Sequence, residues 1–179
     1  MGARNVLLAV NIVGGIAVLG SYAWGVATHP APGAALWGAV PASWRSWYGL
    51  SMIPAALGYI VFATYLLFRV DPAATRLAFG LPYAALLVPF LLILVPSALW
   101  MPLTLRFAET GGQGLWWAIR IGLWTTAVGS VLAGIAVATL EPRVATAHWV
   151  AAVIGTVFFF FQTGILDAIL WVATFPGPR

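Results

Sequence analysis

Two charges stand inside otherwise apolar runs of this sequence, and their types and spacing make them the first residues to examine for chemistry. Arg120 lies between Trp116 and Trp124, four positions away on each side, so on a helix its guanidinium shares a face with two indoles and can stack on them. Asp167 belongs to a ladder of Phe159, Thr163, Asp167 and Trp171 at the same spacing. Both charges fall near the same end of the bundle that these runs would form. A charge in hydrocarbon costs roughly 3 kcal/mol on insertion scales, so the matched depths predict an Arg120 to Asp167 ion pair or a shared polar cavity. The competing reading has Arg120 reaching out to lipid headgroups and Asp167 closing a fraying helix end.

Other chemistries lack their residues. All eight basic residues are arginine, so no lysine is present for a retinal or pyridoxal Schiff base or a P-loop phosphate site. Cysteine is absent, which excludes disulfides, thiolate metal sites and thiol nucleophiles. The net charge of +4 is scattered and leaves no nucleic-acid footprint. No carboxylate pair, metal-ligand cluster or serine, histidine and acid set shares a face, so catalysis is not expected. His148 lies on the wrong face for axial haem ligation and His29 is a lone loop histidine; a permanently held redox haem is therefore not expected either.

The elements that must position these residues are membrane helices. Of 179 residues 63% are hydrophobic and 7% charged, far below the quarter or so expected of soluble domains. The stretch 81–107 is apolar and uncharged over its first 19 residues, close to the 20 or so that cross a bilayer. Its Pro82, Pro89, Pro96 and Pro102 fall on roughly one face, and each interior proline leaves a carbonyl for neighbours to satisfy, which suits the middle of a bundle. Spans are expected at residues 6–27, 47–68, 81–105, 115–140 and 147–171, giving an all-α, polytopic single membrane domain over 1–179. Ser21-Tyr22-Ala23 resembles a signal-peptidase site, but the apolar run continues into Trp24, which favours an uncleaved helix. The loop 28–46, with Pro30, Pro32, Pro41, Trp37 and Trp44, reads equally as a lid or as an aromatic interfacial anchor. Val61, Tyr65 and Arg69 fit a permissive cholesterol-contact pattern. Ser130, Gly134 and Ala138, and Ala147, Ala151 and Gly155, form small-residue ridges suited to close packing.

Five spans put the chain ends on opposite sides. If the side of the first residues is the first face, Trp24, Trp37, Trp44, Trp47, Trp100, Trp116, Trp117, Trp124 and Trp171 all fall in the second half, leaving only Trp149 at the first. An ordinary aromatic belt decorates both interfaces, so the second half is expected to do more than anchor. Arg4, Arg69, Arg76 and Arg143 lie towards the first face and Arg45, Arg106, Arg120 and Arg179 towards the second; orientation is thus a tie, and bacterial inner and mitochondrial membranes both stay open.

Certain residues resemble the translocator protein family, the TspO or tryptophan-rich sensory proteins. In its third helix that family has asparagine, two residues, tryptophan, any residue and proline; here Ser97, Trp100 and Pro102 hold those places. In the fifth it has Leu-Asn followed four residues later by an aromatic, matched by Leu166-Asp167 and Trp171. Gly58-Tyr59 resembles a Gly-Tyr pair of its second helix, and Val40-Pro41-Ala42-Ser43-Trp44 its Pro-x-Trp loop. Both family asparagines are replaced, by Ser97 and Asp167. The resemblance implies a TspO-like pocket within the bundle, closed by the first loop, that takes porphyrins, sterols or similar flat hydrophobic molecules for transport, sensing or photo-oxidative turnover. Compatible walls are Trp37, Trp44, Arg45, Trp47, Trp100, Trp116, Arg120, Trp124 and Trp171, with indoles to stack on rings and arginines for carboxylates. The alternative is a non-catalytic accessory subunit of a larger membrane complex, and the small-residue ridges fit a homodimer equally well.

Overall fold

A computed structural model describes residues 2–29, 32–143 and 146–177; Pro30 and Arg179, counted above, lie outside them. Among the described residues five helices are long and apolar enough to cross a membrane, and the chain is a multi-pass all-α membrane protein. Helix α1 is Ala3–Thr28, α2 is the short Pro32–Trp37, and α3 is Ala42–Phe68. A 3-10 turn at Tyr83–Leu86 leads into α4, Leu87–Thr110, and α5 is Gln113–Thr139. Helix α6, Ala147–Phe160, continues without a break through a π-helical stretch, Phe161–Trp171, and a last turn, Val172–Thr174.

Helices dominate because hydrocarbon offers the backbone no partner other than itself. Their ends carry identifiable stops. Gly111 and Gly112, with φ of 66° and 103°, make the tight turn between α4 and α5. The Thr146 hydroxyl accepts from the Trp149 N–H at 3.2 Å and caps α6. Helix α3 begins at Ala42, five residues before the expected 47, because Pro41 sits at its mouth with φ already near helical values. Trp44 and Arg45 are therefore helical, and the connection between α1 and α3 is shorter than the 28–46 loop and partly coiled into α2.

The spans pack in a ring: α1 on α4, α4 on α5, α5 on both parts of the fifth span, and that span on α3. Helices α3 and α1 meet sparingly, joined by a 2.8 Å hydrogen bond from the Tyr59 hydroxyl to Asn11 Oδ1. The proline face of α4 finds its counterpart in α5. Pro89 and Pro96 are seven residues apart, and so are Gly129, which approaches the Pro89 carbonyl, and Gly122, which faces the Pro96 ring. Pro82 lies before the helix and does not join that face.

Helices α3 and α6 touch backbone to backbone at Gly58 and Gly155. A Cβ on Gly155 would stand 2.7 Å from the Gly58 carbonyl oxygen, and one on Gly58 would meet Gly155 more closely still. The ridge around Gly155 thus packs within the chain, whereas Ala147 and Ala151 remain exposed. The core divides in two. Phe62, Leu66, Phe90, Ile93 and Val137 fill the half nearer the first face; Val40, Tyr48, Phe107, Ile119, Trp171 and Phe175 fill the second.

Replacing Gly58 or Gly155 by alanine should lower stability in detergent by about 1–3 kcal/mol, the usual cost of overpacking. Gly15→Ala, where a Cβ meets open space, should be neutral or gain up to about 1 kcal/mol from helix propensity. Thermal unfolding of the three variants checks this; equal shifts would contradict a backbone contact between α3 and α6.

Candidate functional site

The π-helical stretch organises the second half of the bundle. Its i to i+5 pattern brings residues five apart onto one face, and Gln162 and Asp167 have that spacing. Gln162 Nε2 donates to Asp167 Oδ1 at 2.9 Å, and the Tyr48 hydroxyl of α3 donates to the same oxygen. The Ser51 hydroxyl, one turn along α3, lies 2.5 Å from Gln162 Oε1 and 2.7 Å from the Tyr48 carbonyl. Tyr48 and Ser51 of α3 and Gln162 of the fifth span thus gather around the one intramembrane acid.

Aromatic rings close over this cluster. Trp37 meets Tyr48 edge to face at 5.2 Å between centroids, and the Trp171 indole N–H donates to the Leu36 carbonyl at 2.8 Å. Those two contacts fasten the connection between α1 and α3 across the end of the bundle. Arg45 tightens it, with Nε donating to the Val40 carbonyl at 3.1 Å and its guanidinium 5.9 Å from the Trp37 ring centre. Trp100 lies between Tyr22 at 6.0 Å and Trp171 at 5.7 Å.

The expected Arg120 to Asp167 ion pair does not form among the described residues. The two side chains have matching depth but different directions. Asp167 is satisfied from the α3 side, whereas Arg120, on α5, donates from Nη2 to the Val172 carbonyl at 2.9 Å. Its guanidinium stacks 3.6 Å from the centre of the Trp116 ring, as the four-residue spacing implied. Trp124 turns to a different task, donating to the Ala168 carbonyl at 3.0 Å, and Trp116 donates to the Pro176 carbonyl at 3.0 Å. Phe159, Thr163, Asp167 and Trp171 are all buried or half-buried, and the π stretch adds Gln162 beside Asp167 at a five-residue interval.

Trp44 and Trp47 stand outside the polar cluster and wall a groove between α3 and the fifth span. Its volume is about 420 Å³; Phe161, Leu166 and Leu170 form the opposite wall, and Tyr48 and Ser51 reach its floor. Trp47 is 77% exposed, so the groove opens towards the lipid. Tyr48 and Ser51 belong to both places: they line the groove and bond to the polar cluster behind it.

Ser97 and Pro102 stay apart from both. The Ser97 hydroxyl donates to the Ile93 carbonyl at 2.6 Å, within its own helix. At the second-face rim, His29 Nδ1 lies 2.9 Å from the Thr28 hydroxyl and Nε2 lies 3.2 Å from Glu109, so side chains engage both ring nitrogens. Among the described residues no three histidine or acidic side chains converge as metal ligands. Sequence reasoning passed over Tyr22, Tyr48, Ser51 and Gln162; the five-residue interval between Gln162 and Asp167 was the available signal. Comparison of the chain with protein-family models, with characterised proteins and with solved structures finds no match.

A double-mutant cycle separates the observed partner of Asp167 from the expected one. Tyr48→Phe and Asp167→Asn should show a coupling of roughly 1 kcal/mol in unfolding from mixed micelles, within the range of intramembrane hydrogen bonds. Arg120→Gln with Asp167→Asn should be additive. Coupling in the second pair and none in the first would reverse the assignment.

Proposed function

We propose that this protein is a membrane-embedded binding protein for a flat hydrophobic molecule of the porphyrin or sterol kind, taken up laterally from the bilayer. The observation that carries this reading is the groove of about 420 Å³ walled by Trp44 and Trp47 and floored by Tyr48 and Ser51. That volume lies in the range of small-molecule sites, which are mostly apolar with a few placed polar groups. Two indoles offer stacking faces to a planar ring system. Tyr48 and Ser51 present apolar faces to the groove, and Asp167 and Gln162 hold both in position through the hydroxyls behind it. The groove's open side leaves one face of the molecule against lipid, as suits exchange with the membrane. The choice of porphyrin or sterol rests on the resemblance to the translocator family.

A second reading, an accessory subunit, draws support from outward-facing indoles away from the groove: Trp117 and Trp124 are 43% and 41% exposed. Titration of the purified chain with protoporphyrin, followed by tryptophan fluorescence, separates the two. The binding reading expects saturable quenching with micromolar affinity. Trp44→Ala or Trp47→Ala should weaken it about 3- to 10-fold, the equivalent of one lost aromatic contact of about 0.5–1.5 kcal/mol. Trp117→Ala should leave the affinity unchanged. Absence of saturable quenching, by protoporphyrin and equally by a fluorescent sterol, contradicts the binding reading and favours the subunit.

A further inference from the structure

A second cavity, of about 340 Å³, lies at the opposite end of the molecule, where α3 ends and α6 begins. We infer that it seats the phosphoethanolamine headgroup of a bilayer lipid. Its lining includes Arg69, Asp71, Thr75, Thr146, His148 and the Tyr65 ring. Both signs of charge are therefore present in one small space at the level where lipid headgroups lie.

The arginines of this face differ in what they do. Arg4 donates to the Val70 carbonyl at 2.7 Å, Arg76 to the Thr75 carbonyl at 3.0 Å, and Arg143 sits 5.3 Å from the Trp149 ring centre. Arg69, by contrast, makes no side-chain hydrogen bond among the described residues, and it lines the cavity. A guanidinium is well matched to a phosphate, which it can grip through two parallel N–H groups. Thr146 accepts from the Trp149 N–H through its oxygen and so keeps its own proton to donate. Thr75 is only 3% exposed, and its hydroxyl takes no hydrogen bond among the described residues.

Asp71 decides the headgroup. Its Oδ1 accepts from the Ala73 N–H at 3.0 Å, leaving Oδ2 for a donor from outside. A carboxylate beside a phosphate site disfavours a purely anionic headgroup by like-charge repulsion. A primary ammonium brings three N–H donors to that oxygen, whereas a choline brings none. The walls are held in place before any lipid arrives. Arg76 and Glu141 exchange two backbone hydrogen bonds of 2.8 Å, tying the loop after α3 to the end of α5, and Val70 and Leu140 are buried beneath them. Towards the membrane interior the neighbouring surfaces of α3 and α6 expose Val61, Phe68, Val150 and Ile154, apolar partners for acyl chains.

The test reconstitutes the full chain in vesicles of equal parts phosphatidylethanolamine, phosphatidylcholine and phosphatidylglycerol, extracts it in mild detergent and counts retained lipids by native mass spectrometry. The inference expects phosphatidylethanolamine retained at least fivefold over each of the other two lipids. Arg69→Gln should abolish that preference, and Asp71→Asn should shift it towards phosphatidylglycerol, with the unfolding temperature of both variants unchanged because both side chains are exposed. Retention in the vesicle ratio, or a preference that neither substitution alters, overturns the inference. Binding of soluble phosphoethanolamine by calorimetry with no lipid retained overturns it as well, since the ligand would then be a solute.

Discussion

A carboxyl group inside hydrocarbon must find donors within the protein, and the second half of this bundle is arranged around that requirement at Asp167. The carboxyl takes hydrogen bonds from Tyr48 and Gln162, and Ser51 secures Gln162 in turn. Two of those residues come from α3 and two from the fifth span, so satisfying the acid also fixes how these helices sit together. Their second point of fixation is the backbone contact of Gly58 with Gly155, on the first-face side. The groove beside Tyr48 and Ser51 thus lies along an α3 interface fixed at two points.

The π stretch connects this acid to the tryptophans. Widening the helix puts Gln162 beside Asp167, but it also disturbs the regular ladder that would occupy every carbonyl. Trp124 donates to one carbonyl of that stretch, at Ala168, and Arg120 donates to Val172 just beyond it. Trp116 and Trp171 make comparable bonds to Pro176 and Leu36. Indoles suit this work because a large apolar ring tolerates the membrane while its single N–H meets one acceptor. The crowding of tryptophan at one end thus has two causes: some rings supply donors to backbone, while Trp44 and Trp47, which make no such bond among the described residues, wall the groove.

Much of the fold was legible in the residues. The apolar runs located five spans to within a few residues at most ends, since hydrophobic length is the property that hydrocarbon selects. The depths of Arg120 and Asp167 were legible for the same reason. Their directions were not, because a local switch from α to π geometry rotates the later residues about the helix axis and no residue propensity announces such a switch. The start of α3 was missed because Trp44 and Arg45 look interfacial, although Pro41 marks the boundary. The proline spacing of seven in α4 was visible, yet its meaning appeared only against Gly122 and Gly129 of α5. The loop between the first two spans shows its role through one bond, Trp171 to Leu36, across 135 positions of chain.

Infrared spectroscopy of the chain in bilayers tests the central arrangement most directly, because Asp167 is its only acid within a span; Asp71, Glu109 and Glu141 lie at or beyond helix ends. The vibration assigned to Asp167, identified by its loss in Asp167→Asn, should shift in Tyr48→Phe and in Gln162→Leu and stay in place in Arg120→Gln. A band unmoved by the first two substitutions and displaced by the third would contradict the account.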